Sequence, residues 1–383
     1  MNTLVADTEY RQGKLFKKTV PNMKISLVIT ELEPGGAERN LVKLAIGLAS
    51  LGHDITVISL GPRPHNQMLT EKLYRVGITV FYLNCRSKWS FLRAVSKLRS
   101  TLRRLKPDLI QSFLYHANLL TSICSGHIPH FVGLRVKDPR RWRYRLLARF
   151  SSDWSGVICV SKDVQMYAAA FFGNSSTKLW TIGNGVDMNA VKSAGSKQWP
   201  EDVASSDEPL VFIGRLDPQK GLDTLLSATP KLLDDFPQRH LYIIGDGPIR
   251  HKLERTVAKL KSRERIHLTG YRDDAAAILA KAKLFLFPSR WEGMPNVVME
   301  AMTLGIPVCS TPVDGVVELL GKSSPQIYRR DQWQTGATQM LLWDPEKLDS
   351  LGKSNHNVIS SEFTAKKMVR RYLEAYEWDH RHD

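Results

Sequence analysis

Hydrophobic positions along the chain fall into two alternating patterns, short continuous apolar runs and longer segments with an apolar residue every three or four positions. The short runs are typical of parallel strands buried on both faces, and the longer segments are typical of helices with one face on a core. Predicted strands are 23–29, 55–60, 78–83, 109–113, 131–134, 157–160, 179–182, 210–214, 241–245, 266–269, 284–287 and 308–310. This alternation predicts parallel sheets covered by helices, an α/β fold.

Two domains are predicted, because the periodicity is interrupted after residue 186 by a stretch rich in Ser, Asp, Gly and Pro. A chain of 383 residues with 43% hydrophobic content is long enough for two cores. Two Rossmann-like, doubly wound domains that face a central cleft are the simplest arrangement. The predicted segments are a flexible tail at 1–21, a first domain at 22–190, a linker at 191–209, a second domain at 210–363 and a closing helix at 364–383.

Positive charge is concentrated in the first half of the chain. Residues 1–190 contain 27 Lys and Arg against 12 Asp and Glu, whereas residues 191–383 contain 27 against 26. A net charge of +15 in one half indicates an anionic partner, such as acidic lipid headgroups or nucleic acid. A solvated basic face without any partner is the alternative interpretation.

The cysteines and the hydropathy exclude several classes of protein. The four cysteines have neither CxxC spacing nor histidine partners, which argues against a zinc site and a disulfide framework and fits a reducing cytoplasm. No apolar run approaches the roughly 18 residues needed to span a bilayer. The sequence therefore predicts a soluble or peripheral protein.

Two basic segments of the first half combine arginines with apolar residues. Segment 90–106 contains no acidic residue and places basic residues beside a predicted apolar stripe, which consists of Phe91, Val95, Leu98, Leu102 and Leu105. Such a helix fits an anionic membrane surface, and an ordinary core-packed helix explains the pattern equally well. Segment 140–145, with the sequence RRWRYR, has a pattern shared by nucleic-acid binders and membrane-interface segments.

Candidate binding residues follow predicted strands of both domains, where ligands bind in open parallel sheets. In the first domain, Gly35 and Gly36 form a turn that lets the backbone approach a phosphate, or only a tight turn. His116 is a titratable group beyond strand 109–113, or a hydrogen-bonded structural residue. In the second domain, Arg215 and Lys220 follow strand 210–214 and suit a diphosphate neutralised without metal.

Two further turns belong to the second domain. The turn at 245–248, with the sequence GDGP, is assigned to structure. Tyr271 follows strand 266–269, where main-chain groups are expected to meet a nucleobase.

The stretch 284–308 joins a strand, a loop and a helix around two carboxylates, Glu292 and Glu300. Pro295 is predicted as the first helical residue, because it needs no N–H there, and Gly305 ends the helix. Glu292 then lies just ahead of the helix, and Glu300 about a turn and a half inside it. The helix N-terminal amides are expected to face an anionic or hydroxyl-rich ligand.

Taken in order, these motifs resemble the signatures of the retaining glycosyltransferases of family 4. The matching segments are 35–38 (GGAE), 182–187 (IGNGVD), 214–221 (GRLDPQKG), 245–248 (GDGP) and 292–300 (EGMPNVVME). The resemblance spans residues 23–320, and the two glutamates together with the upstream Arg and Lys are its most specific part. It implies a GT-B fold, a nucleotide-sugar donor held mainly by the second domain, an acceptor held mainly by the first, no metal and no cofactor.

The resemblance also implies a role for each matched residue. Arg215 and Lys220 are assigned to the donor diphosphate, Glu300 to the ribose hydroxyls and Glu292 to the transferred sugar. Further predicted donor contacts are Gly35, Gly36, Tyr271 and the amides near Met294, Asn296 and Val297. The implied reaction is front-face attack with retention, in which a phosphate oxygen takes the acceptor proton.

The chain departs from the family pattern at two positions. Many relatives carry a histidine at the end of the first-domain strand 109–113, where this chain has Gln111, Ser112 and Phe113. His116 is the expected substitute in that position. Gly183 replaces a common proline ahead of the sequence NGVD, which loosens the turn.

These observations predict a cytoplasmic, membrane-associated transferase that moves a hexose or N-acetylhexosamine from a UDP-sugar to a lipid-linked or cell-envelope saccharide. A transferase of the same fold with a soluble acceptor, or a sugar-nucleotide sensor without activity, is the alternative. A basic nucleic-acid-binding protein is a third interpretation. It is disfavoured because no nucleic-acid module is recognisable and the acidic pair would repel phosphates.

Overall fold

A computed structural model describes residues 22–85, 91–173, 177–206 and 208–379. The strands of these residues are β1 (Lys24–Ile29), β2 (Asp54–Ser59), β3 (Thr79–Tyr82), β4 (Leu109–Phe113), β5 (His130–Leu134), β6 (Gly156–Cys159), β7 (Leu179–Thr181), β8 (Leu210–Ile213), β9 (Leu241–Ile244), β10 (Ile266–Gly270), β11 (Leu284–Phe287) and β12 (Val308–Ser310). The predicted tail at 1–21 and the last four residues of the predicted closing helix lie outside the described residues.

The helices of the described residues alternate with these strands, as the sequence pattern predicts. They are α1 (Gly36–Ser50), α2 (Met68–Arg75), α3 (Phe91–Leu105), α4 (Tyr115–Cys124), α5 (Arg141–Ala148), α6 (Lys162–Phe172), α7 (Met188–Gly195), α8 (Leu222–Asp235), α9 (Arg250–Val257), α10 (Ala275–Leu279), α11 (Asn296–Thr303), α12 (Asp314–Leu320), α13 (Trp333–Leu341), α14 (Pro345–Glu362) and α15 (Ala365–Asp379).

The first sheet has the strand order β3-β2-β1-β4-β5-β6-β7. Its central strand β1 runs parallel to β2 and to β4, with Ile29 opposite Ser59 on one side and Phe113 on the other. The chain first moves outward through β2 and β3 and then continues through β4 on the opposite side of β1. The topological switch point, where ligands bind in such sheets, therefore lies between β1 and β4.

The second sheet has the order β10-β9-β8-β11-β12, and all its neighbouring strands are parallel. Its core packs β-strand residues such as Phe212 and Leu286 against α8 and α13, where Leu225 and Trp333 are fully buried. The strand order reverses between β8 and β11, so the loops that follow these two strands meet at the switch point of this sheet.

The chain divides into two compact units, each built around one sheet. One unit comprises the residues up to Cys159, Ala168–Trp180 and the residues from Val369 onward, and the other comprises Val160–Tyr167 and Thr181–Met368. The chain therefore passes between the two units four times, just before α6 and then within α6, β7 and α15. Residues 188–195 form α7, so the predicted linker at 191–209 begins inside a helix.

The predicted strands agree with the observed ones, and β4, β11 and β12 have the predicted bounds. Two local expectations were wrong. Pro295 is the N-cap of α11 rather than its first helical residue, with extended φ and ψ of −78° and 116°. Phe91 is exposed at the start of α3, because the buried face of this helix is formed instead by Ala94, Leu98, Thr101 and Leu102.

Candidate functional site

The loops that follow β8 and β11 bring Lys220 and Glu292 together. The Nζ atom of Lys220 lies 2.6 Å from Oε1 of Glu292, and both side chains are mostly buried. The hydroxyl of Ser289 donates to the same Oε1 at 2.6 Å. A carboxylate and an ammonium, both predicted from the sequence as site residues, thus form one ion pair at the switch point of the second sheet.

The position of Lys220 is fixed by the residues on either side of it. The side chain of Asp217 accepts a hydrogen bond from the Gln219 N–H at 3.0 Å and closes the turn. Gly221 has φ of +66°, and a β-carbon there would overlap the carbonyl oxygen of Pro288. Only glycine allows the Lys220 loop to pack directly on the end of β11.

Further hydrogen bonds tie these two loops to each other. Gln219 donates from Nε2 to the Trp291 carbonyl at 2.7 Å and accepts from the Arg290 N–H at 2.8 Å. Arg290 also pairs with Asp223 of α8, with 2.7 Å between Nη2 and Oδ2. Both main chains are therefore held in place, and a ligand meets a preformed pair of loops.

The loop that carries Arg215 rests on the GDGP turn after β9. Leu216 N–H donates to the Asp246 carbonyl at 2.9 Å. β-Carbons at Gly245 and Gly247 would overlap the carbonyl oxygens of Gly214 and Leu216. The predicted structural role of this turn is confirmed, and Arg215 lies exposed on the loop that it supports.

The N-terminal turn of α11 presents three of the predicted donor contacts on one half-buried face. Asn296, Val297 and Glu300 are partly exposed, whereas Val298 and Met299 are buried in the core. Since residues 296 and 300 are one turn apart, their side chains are neighbours on the helix surface. The carboxylate of Glu300 thus belongs to the same helix face as the first-turn amides.

Asn184 holds this helix start from a distant part of the chain. Its Nδ2 donates to the Met294 carbonyl at 2.8 Å and to Oδ1 of Asn296 at 3.0 Å. Its main-chain N–H lies 3.1 Å from the Met294 sulfur. Asn184 belongs to the IGNGVD motif, and the sequence predicts no role for it. The buried side chain of Met294 faces this support, which leaves only its main chain for a ligand.

Tyr271 is not brought to the ion pair by the sheet. It follows the edge strand β10, which β9 separates from β8. Its hydroxyl donates to Asp273 at 2.9 Å, and nearly half of the side chain is exposed. Its role as a donor contact stays a prediction.

In the first unit, Gly35 caps α1 directly beyond β1. A β-carbon at Gly35 would overlap the carboxylate of Glu38, which folds back over the turn. Glu38 is only 8% exposed, and desolvation by burial raises the pKa of its carboxyl to about 7. The space above Gly35 is therefore taken by a buried acid. Glu38 belongs to the GGAE motif, and the sequence predicts no function for this side chain.

His116 lies exposed in the first turn of α4. This helix follows β4, which is the neighbour of β1 in the sheet. Leu114, the N-cap of this helix, has φ of +71°, which is unusual for leucine. Such a conformation persists only where the surrounding structure holds the turn in place. The structure thus places Gly35, Gly36 and His116 after neighbouring strands of one sheet.

A buried polar network supports the His116 turn from below. Ser112 contacts His130 Nε2 at 2.8 Å and donates to Oδ1 of Asn118 at 2.8 Å, and Asn118 donates to the Gly133 carbonyl at 2.9 Å. Burial lowers the pKa of His130 to about 3. This histidine is thus neutral at ordinary pH, and sequence reasoning missed its link to Ser112.

Two family models match the chain and together cover most of it. The model described as Glycosyl transferases group 1 matches residues 207–341, and the model described as Glycosyltransferase Family 4 matches residues 34–190. The chain belongs to the family 4 glycosyltransferases. The family resemblance of the sequence motifs is thereby confirmed.

Relatives of this glycosyltransferase include enzymes whose names refer to phosphatidylinositol and to lipopolysaccharide core biosynthesis. The gpi3 subunit of phosphatidylinositol N-acetylglucosaminyltransferase from Schizosaccharomyces pombe is 25% identical over 78% of this chain and 68% of its own length. The lipopolysaccharide core biosynthesis glycosyltransferase LpsE of Rhizobium meliloti is 23% identical over 89% of this chain and 95% of its own.

The glycosyltransferase also resembles solved structures along almost its whole length. Anabaena HepE, crystallised in complex with UDP-glucose, is 21% identical and superimposes with a TM-score of 0.78 over 93% of this chain and 100% of its own. At this identity the likeness concerns the fold. The predicted GT-B class, with two Rossmann-like parallel-sheet domains, is confirmed.

In the part of the chain that the structure describes, no helix is long and apolar enough to cross a membrane. The same residues contain no group of three or more His, Cys, Asp or Glu side chains placed to hold a metal ion. At the second switch point of the glycosyltransferase, Lys220 and Glu292 form an ion pair, and Arg215 lies exposed on the loop that follows β8.

Proposed function

We propose that this glycosyltransferase moves a hexose or N-acetylhexosamine from a UDP-sugar to a lipid-linked or cell-envelope saccharide, with retention of configuration. The proposal is carried by the Lys220–Glu292 ion pair at the switch point of the second sheet. This pair puts a cation suited to phosphate and a carboxylate suited to sugar hydroxyls side by side, as a nucleotide-sugar donor requires.

The donor roles divide along the two loops. Lys220 and Arg215 neutralise the diphosphate, and their charge stabilises the departing nucleotide as the glycosidic bond breaks. Glu292 accepts hydrogen bonds from the transferred sugar, and Glu300 accepts them from the ribose. UDP as the nucleotide is supported by the crystallised complex of HepE with UDP-glucose.

Retention is proposed from the family resemblance, and the way Glu292 is held agrees with it. The Oε1 atom of Glu292 already accepts from Lys220 and Ser289, and in this proposal the carboxylate orients the sugar and does not act as a nucleophile. The acceptor hydroxyl attacks the anomeric carbon on the face that the diphosphate leaves, and a phosphate oxygen takes its proton. The two cations neutralise the leaving group without a metal, so activity is expected to persist in EDTA.

The acceptor proposal rests on the first unit. Segment 90–106 contributes α3, where Leu92 is 80% exposed beside exposed Arg93. Three other cations of this helix contact the protein itself, since Lys97 and Arg99 donate to the carbonyls of Leu83 and Ile123, and Arg104 lies over Phe81. Arg103 near the other end of α3 is exposed as well, but the exposed large apolar side chains of this helix, Phe91 and Leu92, lie at its N-terminal end. That end therefore offers the membrane contact, at the cytoplasmic face. The names of gpi3 and LpsE, which refer to phosphatidylinositol and lipopolysaccharide core, support an acceptor of this kind.

A panel of nucleotide sugars tests the proposal. UDP-, GDP- and ADP-sugars are compared by thermal shift and by sugar release, because at equal concentration a donor that binds more tightly raises Tm further. We expect a UDP-sugar to give the largest shift and product with the same anomeric configuration as the donor. No shift from any nucleotide sugar, or a product with inverted configuration, would contradict it. Transfer to a water-soluble saccharide as efficient as to a lipid-linked one would assign a soluble acceptor instead.

A further inference from the structure

An aromatic and cationic cluster follows β4 and β5, which are neighbours in the first sheet. It is formed by the first turns of α4 and α5, two helices that pack against each other, and by the loop just ahead of α5. We call it the Tyr115 cluster and define it as Tyr115, His116, Asp138, Trp142 and Arg143. Of these five residues, only His116 is a candidate site residue from the sequence.

Tyr115 is the centre of this cluster. The Arg143 guanidinium lies 4.6 Å from the centroid of the tyrosine ring. The rings of Trp142 and His116 meet it edge to face, with centroids 6.0 Å and 5.2 Å away. Three side chains from two helices therefore hold one aromatic ring, and the cluster is a built surface rather than a chance exposure.

Asp138 anchors the cationic side of the cluster. Its carboxylate pairs with Arg143 at 2.8 Å and with Arg140 at 3.0 Å. Burial opposes the charge on Asp138, but the hydrogen bonds from Arg140 and Arg143 outweigh it and lower the pKa of the carboxyl. Arg143 is thereby fixed across the Tyr115 ring, in the stacked geometry typical of guanidinium groups.

Trp142 is 56% exposed at the edge of the cluster. An exposed tryptophan leaves a large apolar surface in water, and such surfaces commonly mark binding sites. Its π-face is negative, and the apolar C–H face of a pyranose ring is complementary to it. Arg140 and Arg143 pair with Asp138, but three further arginines of the same stretch are exposed, namely Arg141, Arg145 and Arg149, so an anionic group on the sugar is attracted to this surface.

The geometry points to the Tyr115 cluster as the acceptor site, which binds a pyranose that carries a phosphate or diphosphate, with the sugar ring stacked on Trp142 and the phosphate on the arginines of α5. This inference rests on the proposed glycosyl transfer. It also names the acceptor class, because a saccharide phosphate has both features that the cluster recognises.

The first experiment measures binding to the full chain without turnover. Probes are N-acetylglucosamine 1-phosphate, its methyl glycoside, inorganic phosphate and a lipid-linked N-acetylglucosaminyl diphosphate in detergent. We expect the two sugar phosphates to bind more tightly than either the neutral glycoside or inorganic phosphate. Trp142→Ala should weaken them about tenfold, in line with the size of one aromatic stacking contact, and Trp142→Phe should retain most of the binding. Equal binding of the two sugar phosphates would indicate recognition of the headgroup, whereas a preference for the lipid-linked probe would add a lipid contact.

The second experiment separates an acceptor role from a structural one. In Trp142→Ala, the KM for the acceptor should rise about tenfold, with the KM for the donor and Tm unchanged. Tyr74→Ala is the matched control, because Tyr74 is a similarly exposed aromatic residue on α2 of the same unit. It should change neither KM.

Several results would overturn the inference. One is an unchanged acceptor KM in Trp142→Ala, and another is inorganic phosphate that binds as tightly as the sugar phosphate. Binding of Trp142→Ala is also measured with phosphatidylglycerol vesicles and with an oligothymidylate. A binding defect seen only with the vesicles would assign the surface to a membrane, and one seen only with the oligothymidylate would assign it to single-stranded nucleic acid. Failure of the proposed function is distinguishable, since it would appear as the absence of any nucleotide-sugar shift in the unmodified chain.

Discussion

Gly221 lies against Pro288 so closely that the carbonyl oxygen of Pro288 occupies the place of a β-carbon. One residue earlier, Lys220 reaches Glu292, three residues beyond Ser289 on the facing loop. The ion pair of the second switch point therefore depends on a backbone contact between two loops, and each part of this arrangement can be changed separately.

Gly221→Ala is expected to damage the site through the backbone. The left-handed φ alone costs about 1–2 kcal/mol for alanine, and the overlap with Pro288 forces the loop away from β11. We expect a lower Tm together with weaker UDP-sugar binding, measured by thermal unfolding and isothermal titration. Gly126→Ala is the control, because Gly126 has φ of +61° with nothing within 4 Å of the added carbon. It should lose stability alone, and equal loss of donor affinity in both variants would contradict the explanation.

Lys220→Ala and Glu292→Gln are expected to be non-additive. Each removes one half of a 2.6 Å ion pair, and each should lower kcat/KM by at least about 100-fold, the size of one lost electrostatic contact in a transition state. The double variant should be little worse than either single one, with a coupling energy of about 3 kcal/mol, roughly the full effect of one substitution. Steady-state kinetics of all four proteins measure this. Lys231→Ala removes an exposed pair with Asp235 and should have no effect; strict additivity would rule out a joint role.

Asn184→Ala removes the support of α11. The Met294 carbonyl and Oδ1 of Asn296 lose their donor, which costs about 1–3 kcal/mol for buried groups. The donor KM should rise while the acceptor KM stays constant, as measured by varying each substrate in turn. Asn357→Ala changes an exposed asparagine of α14 and serves as the control. A wild-type donor KM in Asn184→Ala would show that the helix start needs no such support.

Glu38 is expected to make stability fall as pH rises. The folded state holds its proton up to a pKa of about 7, against 4.5 for an ordinary glutamate, so the folded state binds more protons between these values. The contribution of this proton to the free energy of unfolding is fully present below pH 4.5. It is lost as the pH rises from 4.5 through 7, a change of about 3 kcal/mol. The free energy of unfolding, obtained from urea titrations at pH 5 and pH 8, measures this change. Glu38→Gln should remove this part of the pH dependence of the free energy of unfolding. Glu71→Gln, at an exposed site of α2, is the control and should retain it. The same pH dependence in both variants would disprove the assignment to Glu38.

Leu92→Glu is expected to release the protein from anionic membranes. The substitution puts a charge at the exposed start of α3, where an apolar side chain beside Arg93 favours the lipid interface. Co-sedimentation with phosphatidylglycerol vesicles at physiological salt is the measurement. Leu342→Glu alters a leucine of the second unit that is 70% exposed and should sediment like the unmodified chain. If both variants sediment equally well, α3 is not the membrane contact.

The sequence alone was sufficient for the strands and for the order of the elements. A strand buried on both faces requires a continuous apolar run, so β4 and β11 can be predicted from their own sequences without knowledge of the strands beside them. The glycines of the Lys220 loop and the paired glutamates stand at fixed places beyond such runs. These are local properties, and local patterns encode them.

Only the tertiary structure decided which of these residues meet. Lys220 and Glu292 are 72 positions apart, and they touch because β8 and β11 are neighbours, which the pattern of neither strand specifies. Asn184 supports α11 from 110 positions away, and Glu38 fills the space above Gly35, which the sequence had offered to a ligand. Strand order and side-chain direction arise from packing between distant segments, and so the sequence determined the parts of the site while the fold determined their partners.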